Sequence, residues 1–159
     1  MRTKGIRLSS EHQAWFYSIF AILFLSGLVW IILTYLVPCP PEDEGCIPSL
    51  APALMKVHGA AAMATMVLFG TLIPIHIKRG WAAKINRPNG AFLITINLLL
   101  IVTGYGLYYG GSEGLRFLSH WVHIGLGLFI PFLLLWHIIM GRKKIRKISG
   151  RSLPPKEAS

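Results

Sequence analysis

Four apolar runs dominate the chain, and each is long enough to cross a lipid bilayer, which takes about 20 residues as a helix. They cover residues 14–37, 50–77, 90–109 and 117–140, and the second run is interrupted early by Lys56 and His58. Little chain remains for a soluble domain. The pattern predicts an all-α fold: an integral membrane four-helix bundle that forms a single membrane domain over residues 1–159.

Composition and charge place this bundle in a membrane and orient it. The 159 residues are 53% hydrophobic, with a mean hydropathy of +0.56 and a formal charge of +10. Basic residues concentrate in the N-terminal arm, between the second and third runs, and in the tail 141–159. An even number of spans puts these three segments on one side, so we expect both termini to be cytoplasmic in a bacterial inner membrane. Topology and anionic lipid explain the basic tail better than nucleic acid does.

The cysteines and the first apolar run bear on haem attachment and on whether the chain begins with a signal peptide. Cys39 and Cys46 lie in the predicted outer loop, as a disulfide or as free thiols. The sequence holds no Cys-x-x-Cys-His, which excludes covalently attached c-type haem. At about 24 residues the first run exceeds the apolar core of a signal peptide, and Pro-Cys-Pro-Pro follows it, so we expect it to remain as a helix.

Histidines inside apolar spans are the candidate chemistry. His123 and His137 are 14 residues apart, which is about 21 Å of helix rise, and they point the same way to within about 40°. His58 lies at the depth of His123, and His12 lies at the level of His137. Because imidazole is a good ligand for haem iron, we predict two axial pairs, His58 with His123 outside and His12 with His137 inside. The alternative is that each imidazole hydrogen-bonds a neighbouring helix or lies in the interface.

Two further histidines remain. His76 follows His58 by 18 residues, which puts both on one face of an unbroken α-helix and His76 in the cytoplasmic interface. It is predicted as an interfacial residue, a quinone contact or an alternative ligand. His120 is rotated about 100° from His137, so interfacial packing or a propionate contact suits it better than ligation.

Read together, the four segments resemble the bacterial four-helix di-haem cytochromes b. This family includes the membrane subunits of formate dehydrogenase and nickel–iron hydrogenase, and the cytochrome b five-six-one proteins. The resemblance covers roughly residues 7–145. It rests on His12-Gln13-Ala14-Trp15 with Ser26-Gly27, Lys56-Val57-His58, Asn86-x-x-Asn89-Gly90 with Thr103-Gly104, and the spacing of His123 and His137. Trp15 is displaced from the position next to the first histidine, and Lys56 stands near the family's arginine.

The resemblance implies two non-covalent haem b groups and a quinone site near the inner haem. Lys56 and Arg116 are the candidates for the outer haem propionates, or else snorkelling interfacial cations. The residues that could hydrogen-bond a quinone carbonyl are His76, Lys84, Asn86 and Asn89. Three glycines beside the outer ligands suit either close approach of a flat porphyrin or close helix packing: Gly59, Gly125 and Gly127.

We therefore expect a b-type cytochrome subunit that relays electrons between a quinone pool and an outer-face partner, such as a periplasmic multihaem or iron–sulfur protein. It would be one part of an oxidoreductase complex, because little chain lies outside the bilayer. The alternatives are a non-redox anchor or assembly subunit, and a metal or ion transporter using His58, His76 and His123. The spans hold no Asp or Glu, which argues against ion coupling. Direction of electron flow, quinone type, oligomeric state and the choice of His12 or His76 for the inner haem stay open.

Overall fold

The computed structural model describes residues 9–37, 50–84 and 86–151, and in these ranges the chain consists of helices joined by short turns, with no strand. Its helices are α1 (Ser10–Tyr35), α2 (Ala51–Leu72), α3 (Lys78–Ala82), α4 (Arg87–Tyr109) and α5 (Glu113–Arg151), with a π-helical segment, Ile73–Ile77, between α2 and α3. Cys39, Cys46 and the question of their disulfide lie outside the described residues.

Four helical stretches are long and apolar enough to cross a membrane: Ser10–Tyr35, Ala51–Ala82, Arg87–Tyr109 and Glu113–Lys144. Large apolar side chains project outward from them; Val67 and Phe132, for example, are each 70% exposed. Side chains of this kind are suited to lipid rather than water. The prediction of a four-span, all-helical, multi-pass membrane protein is confirmed at this level, and the orientation of the termini stays a prediction.

The first helix begins four residues earlier than the hydrophobic pattern predicts. The Ser9 hydroxyl accepts a hydrogen bond from the backbone N–H of His12 at 3.3 Å, and Glu11 lies in the first turn. A side-chain cap and an acidic first turn both stabilise a helix N-terminus. Polar residues thus form the first turn, and His12 lies in that turn at the start of α1.

The second span departs from an ideal α-helix near its end. Pro74 has no N–H for the i−4 hydrogen bond, and it lies within the π segment Ile73–Ile77. The helix then resumes as Lys78–Ala82, so helical structure passes the predicted end at residue 77. The expectation that His76 shares a face with His58 assumed 100° per residue throughout, and a π segment does not keep that angle.

The last two helices differ in how closely they follow the predicted bounds. Helix α4 ends at Tyr109 as predicted, and its N-cap residue Asn86 adopts the left-handed conformation, with φ of 52°. Asparagine tolerates this conformation better than most residues. Helix α5 starts at Glu113 and runs for 39 residues to Arg151, so it continues through much of the tail that was predicted to lie beyond the span.

Contacts divide the described residues into two compact units at Ile75–His76. In the first unit α1 packs on α2, and in the second α4 packs on α5. We call them the α1/α2 unit and the α4/α5 unit. Among described residues the buried apolar side chains are few: Ala51 and Ala61 in the first, and Ile96, Ile130 and Leu133 in the second. A helix pair buries only one stripe of each helix, and the remaining surface is apolar.

Candidate ligand sites around the histidines

His58 is held against α1 by two polar groups and a glycine. Its Nδ1 lies 2.9 Å from the carbonyl oxygen of Leu23 and 3.3 Å from Oγ of Ser26. A Cβ at Gly27 would stand 2.9 Å from Cε1 of the imidazole, closer than real Cβ atoms approach. The ring therefore packs directly on the backbone at Gly27, and its position depends on the absence of a side chain there.

His123 is also held against the neighbouring helix, α4, by a hydroxyl group. Its Nδ1 lies 3.0 Å from Oγ1 of Thr103, which is buried. A Cβ at Gly104 would stand 3.4 Å from Cε1 of His123, an ordinary van der Waals contact. Each unit thus contains a hydroxyl residue followed by glycine on its first helix and a histidine on its second, and we call the Ser26-Gly27 and Thr103-Gly104 pairs the hydroxyl–glycine seats.

His12 makes a different contact at the other end of the α1/α2 unit. Its Nε2, rather than Nδ1, lies 3.0 Å from Oγ1 of Thr71. The Thr71 hydroxyl also donates to the carbonyl of Leu68 at 2.6 Å. Thr71 follows His58 by 13 residues, which is about 20 Å of rise, so the two histidine sites of this unit lie far apart along the helices.

His137 lies in a small polar cluster in the α4/α5 unit. The amide nitrogen of Asn86 is 3.4 Å from its carbonyl oxygen and 3.5 Å from its Nδ1, at the long limit of hydrogen bonding. A Cβ at Gly90 would stand 3.7 Å from its Cε1. The imidazole of His76 packs edge-on against that of His137, with ring centres 6.2 Å apart. Two of the four predicted quinone residues, His76 and Asn86, thus meet at one predicted iron ligand.

The remaining predicted site residues lie near the surface of their units. Lys56 and Lys84 are exposed, and Asn89 is half-buried. Arg116 is exposed, and its Nε donates to the carbonyl of Gly110 in the α4–α5 turn at 2.9 Å. His120 stacks edge-on with Trp121 at 5.3 Å between ring centres, as interfacial packing would require. Nothing in these positions distinguishes propionate or quinone contacts from ordinary interfacial residues.

The three glycines beside the predicted outer ligands make no close contact with a neighbouring helix of their own unit. A Cβ at Gly59, Gly125 or Gly127 would meet no atom within 4 Å outside its own stretch of helix. The helix surface at these positions leaves room for a flat macrocycle or for another helix.

Among the described residues, no three His, Cys, Asp or Glu side chains come together as a possible metal site. Structural zinc takes four protein ligands and catalytic zinc three, whereas a bis-histidine haem takes two from the protein.

Sequence reasoning missed several residues that hold the histidines. The carbonyl of Leu23 carries no pattern in the sequence, and Thr71 is one hydroxyl among several in the spans. Ser26-Gly27 and Thr103-Gly104 enter the sequence analysis only through the resemblance, and the structure shows Ser26 and Thr103 as two of the four buried polar side chains among the described residues. The pattern that could have found them is a serine or threonine followed by glycine on the helix that precedes a histidine-bearing helix.

Comparison with protein-family models, with curated proteins and with solved structures finds no match to this chain. The resemblance to di-haem cytochromes b therefore rests on the residues quoted above.

Proposed function

We propose that this chain is the membrane subunit of a di-haem b-type cytochrome, relaying electrons between a quinone pool and an outer-face redox partner. The supporting observation is that each unit holds histidines at two levels, separated by about 20 Å along its helices. In one unit these are His12 and His58, each bonded to the neighbouring helix; in the other they are His123 and His137. In the proposal, one histidine from each unit supplies the two axial ligands that an iron needs.

In this proposal His58 and His123 bind one haem, and His12 and His137 bind the other. Haem supplies the one-electron chemistry, while the chain supplies ligands, spacing and apolar surroundings that set the potential. Quinone would bind near His137, where Asn86 and His76 offer hydrogen bonds. The partner on the other face would be a periplasmic multihaem or iron–sulfur protein in the same complex, and the membrane would be the bacterial inner membrane.

An anchor without haem is the second candidate, because the polar groups are already satisfied within each unit. No described buried side-chain nitrogen or oxygen lacks a hydrogen-bond partner. Interhelical hydrogen bonds of this kind stabilise membrane helix pairs by themselves. In that case the histidines would act as polar contacts between helices.

A reduced-minus-oxidised spectrum with an extractable-haem count per chain separates these candidates. The proposal requires two b haems in protein purified from haem-replete cells, and His123→Ala should lose one of them. His120→Ala, three residues away on the same helix, is the matched control and should keep both. A colourless protein would refute the cytochrome proposal, and metal analysis would then divide anchor from transporter.

A further inference from the structure

The hydrogen bonds around His58 fix which of its nitrogens carries the proton. The Leu23 oxygen is a backbone carbonyl, which can only accept, so Nδ1 of His58 must donate to it across 2.9 Å. The Ser26 hydroxyl donates its one hydrogen to the same carbonyl at 3.0 Å. Its oxygen can therefore only accept a hydrogen bond from Nδ1. A neutral imidazole carries one N–H. The lone pair of His58 is therefore on Nε2.

The same reasoning applies to His123. The Thr103 hydroxyl donates its hydrogen to the carbonyl of Leu99 at 2.7 Å. The Leu100 carbonyl is a second acceptor for that hydrogen at 3.2 Å. With the hydroxyl hydrogen directed to either carbonyl, its oxygen accepts from Nδ1 of His123 across 3.0 Å. This arrangement makes His123 an Nδ1–H imidazole with its lone pair on Nε2. Metal-bound histidines characteristically donate their other ring N–H in this manner, which fixes the tautomer and raises ligand basicity.

His12 has the opposite assignment. The Thr71 hydroxyl donates to Leu68, so it accepts from Nε2 of His12, and the lone pair falls on Nδ1, the nitrogen nearer the backbone. The Asn86 amide nitrogen can only donate a hydrogen bond, so in its contact with His137 the acceptor is Nδ1 of the imidazole. In the predicted inner pair, His12 would have to exchange its partner before Nε2 could bind iron, whereas the 3.5 Å contact at His137 is too long to fix a tautomer.

From these contacts we propose that the hydroxyl–glycine seats are two copies of one ligand-presenting device, which sets His58 and His123 for iron through Nε2 while His12 is set the other way. Under the proposed pairing, each imidazole of the His58 and His123 pair is already held with Nε2 as the acceptor, so that haem binds first and is lost last. This inference rests on the proposed function. It assigns Ser26 and Thr103 as positioning residues that act through the imidazoles.

The tautomers can be read in haem-free protein, independently of any cofactor. In detergent micelles at a pH where imidazole is neutral, ¹⁵N-histidine NMR distinguishes the protonated ring nitrogen from the one with the lone pair. We expect Nδ1–H for His58 and His123 and Nε2–H for His12, with signals assigned by single His→Ala variants. An Nε2–H tautomer at His58 or His123 overturns the proposal even if the protein binds two haems.

Haem titration into the same protein tests the inequality of the sites. We expect a tight phase that His123→Ala removes and a weaker phase that His137→Ala removes. Equal affinities, or the reverse order, contradict the inference. Absence of any haem binding instead refutes the proposed function. The tautomer assignments are tested independently, because the NMR measurement is made on haem-free protein.

Variants of the seats give a readout that a purely structural role would not move. Thr103→Val removes the acceptor of the Nδ1–H bond, which should weaken haem binding by about 10–100-fold and raise the midpoint potential of one haem, because a less basic imidazole stabilises the oxidised iron less. Thr103→Ser should restore both. Ser26→Ala is the matched control with a smaller effect, since the Leu23 carbonyl still accepts from His58. An unchanged potential in Thr103→Val would count against the positioning role.

Discussion

Gly27→Ala adds a single methyl group against the imidazole of His58. Its Cβ would stand 2.9 Å from Cε1 and 3.1 Å from Nδ1 of that ring. Carbon atoms in favourable contact lie about 3.5–4.0 Å apart, so the ring must move by roughly 0.6–1.1 Å. The bond from Nδ1 to the Leu23 carbonyl is 2.9 Å long, and a shift of this size carries the donor out of good geometry.

The size of the effect follows from these distances. Overpacking by one methyl typically costs about 1–3 kcal/mol, and a weakened hydrogen bond adds about 0.5–1.5 kcal/mol. Ligand constellations tolerate displacements of only about 0.5 Å. A loss of 1–3 kcal/mol corresponds to about 5–150-fold weaker binding. We therefore expect Gly27→Ala to release one haem under conditions in which the unmodified protein keeps two.

Gly104→Ala is the matched control, because the same methyl group there stands 3.4 Å from Cε1 and 3.8 Å from Nδ1 of His123. Both substitutions replace glycine by alanine inside a helix, so any change in helix propensity is common to them. Haem titration and extractable-haem counts on both variants provide the assay. Equal haem retention in the two variants would refute the argument from close contact at Gly27.

Three further predictions concern the other contacts. His12→Ala should lose the second haem, whereas His76→Ala should keep both and weaken binding of a quinone analogue, as measured by its effect on the haem spectrum. Gly106→Ala should lower the Tm by separating α4 from α5, because its Cβ would stand 2.5 Å from Oγ and 3.3 Å from Cβ of Ser119, and the haem count should not change. Asn86→Gly keeps the left-handed backbone, with φ of 52°, but removes the amide, so it should weaken quinone-analogue binding without unfolding the protein.

Each of these has an outcome that counts against it. Loss of haem in His76→Ala together with retention in His12→Ala would reassign the inner ligand to the residue that already packs on His137. A normal Tm in Gly106→Ala would mean that the Ser119 side chain rotates aside. Unchanged quinone-analogue binding in Asn86→Gly would remove Asn86 from the quinone site.

The helical spans were predictable because membrane crossing imposes a length and an apolar composition that the sequence displays directly. Their ends were less so. The cap at Ser9 and the acidic first turn were predictable from Ser9-Ser10-Glu11 but not from hydropathy. The continuation of α5 through basic residues beyond 140 was not predicted, and it is possible because a helix satisfies its own backbone hydrogen bonds. Hydropathy registers neither effect, since both concern polar residues that are good helix or cap formers.

The levels of the histidines were also predictable, since counting residues along a helix gives depth. What counting does not give is the partner of each ring nitrogen. The Leu23 carbonyl has no side-chain signature, and the π segment at Pro74 breaks the angular count that related His76 to His58. The pairing of His58 with His123 and of His12 with His137 stays a prediction.

The repeated seat bears on the choice between ligands and simple interhelical contacts. The hydroxyl-to-histidine separation is 32 residues in one unit and 20 in the other, so connections of different length hide the likeness in the sequence. An interhelical hydrogen bond needs a donor and an acceptor, and in both units that same bond is what assigns Nδ1–H to the histidine. The close glycine belongs to the His58 seat alone, because a Cβ at Gly104 would make only an ordinary van der Waals contact with His123. The repeated hydroxyl acceptor therefore suits both candidate functions, and the contact at Gly27 is the one feature that a simple interhelical hydrogen bond does not need.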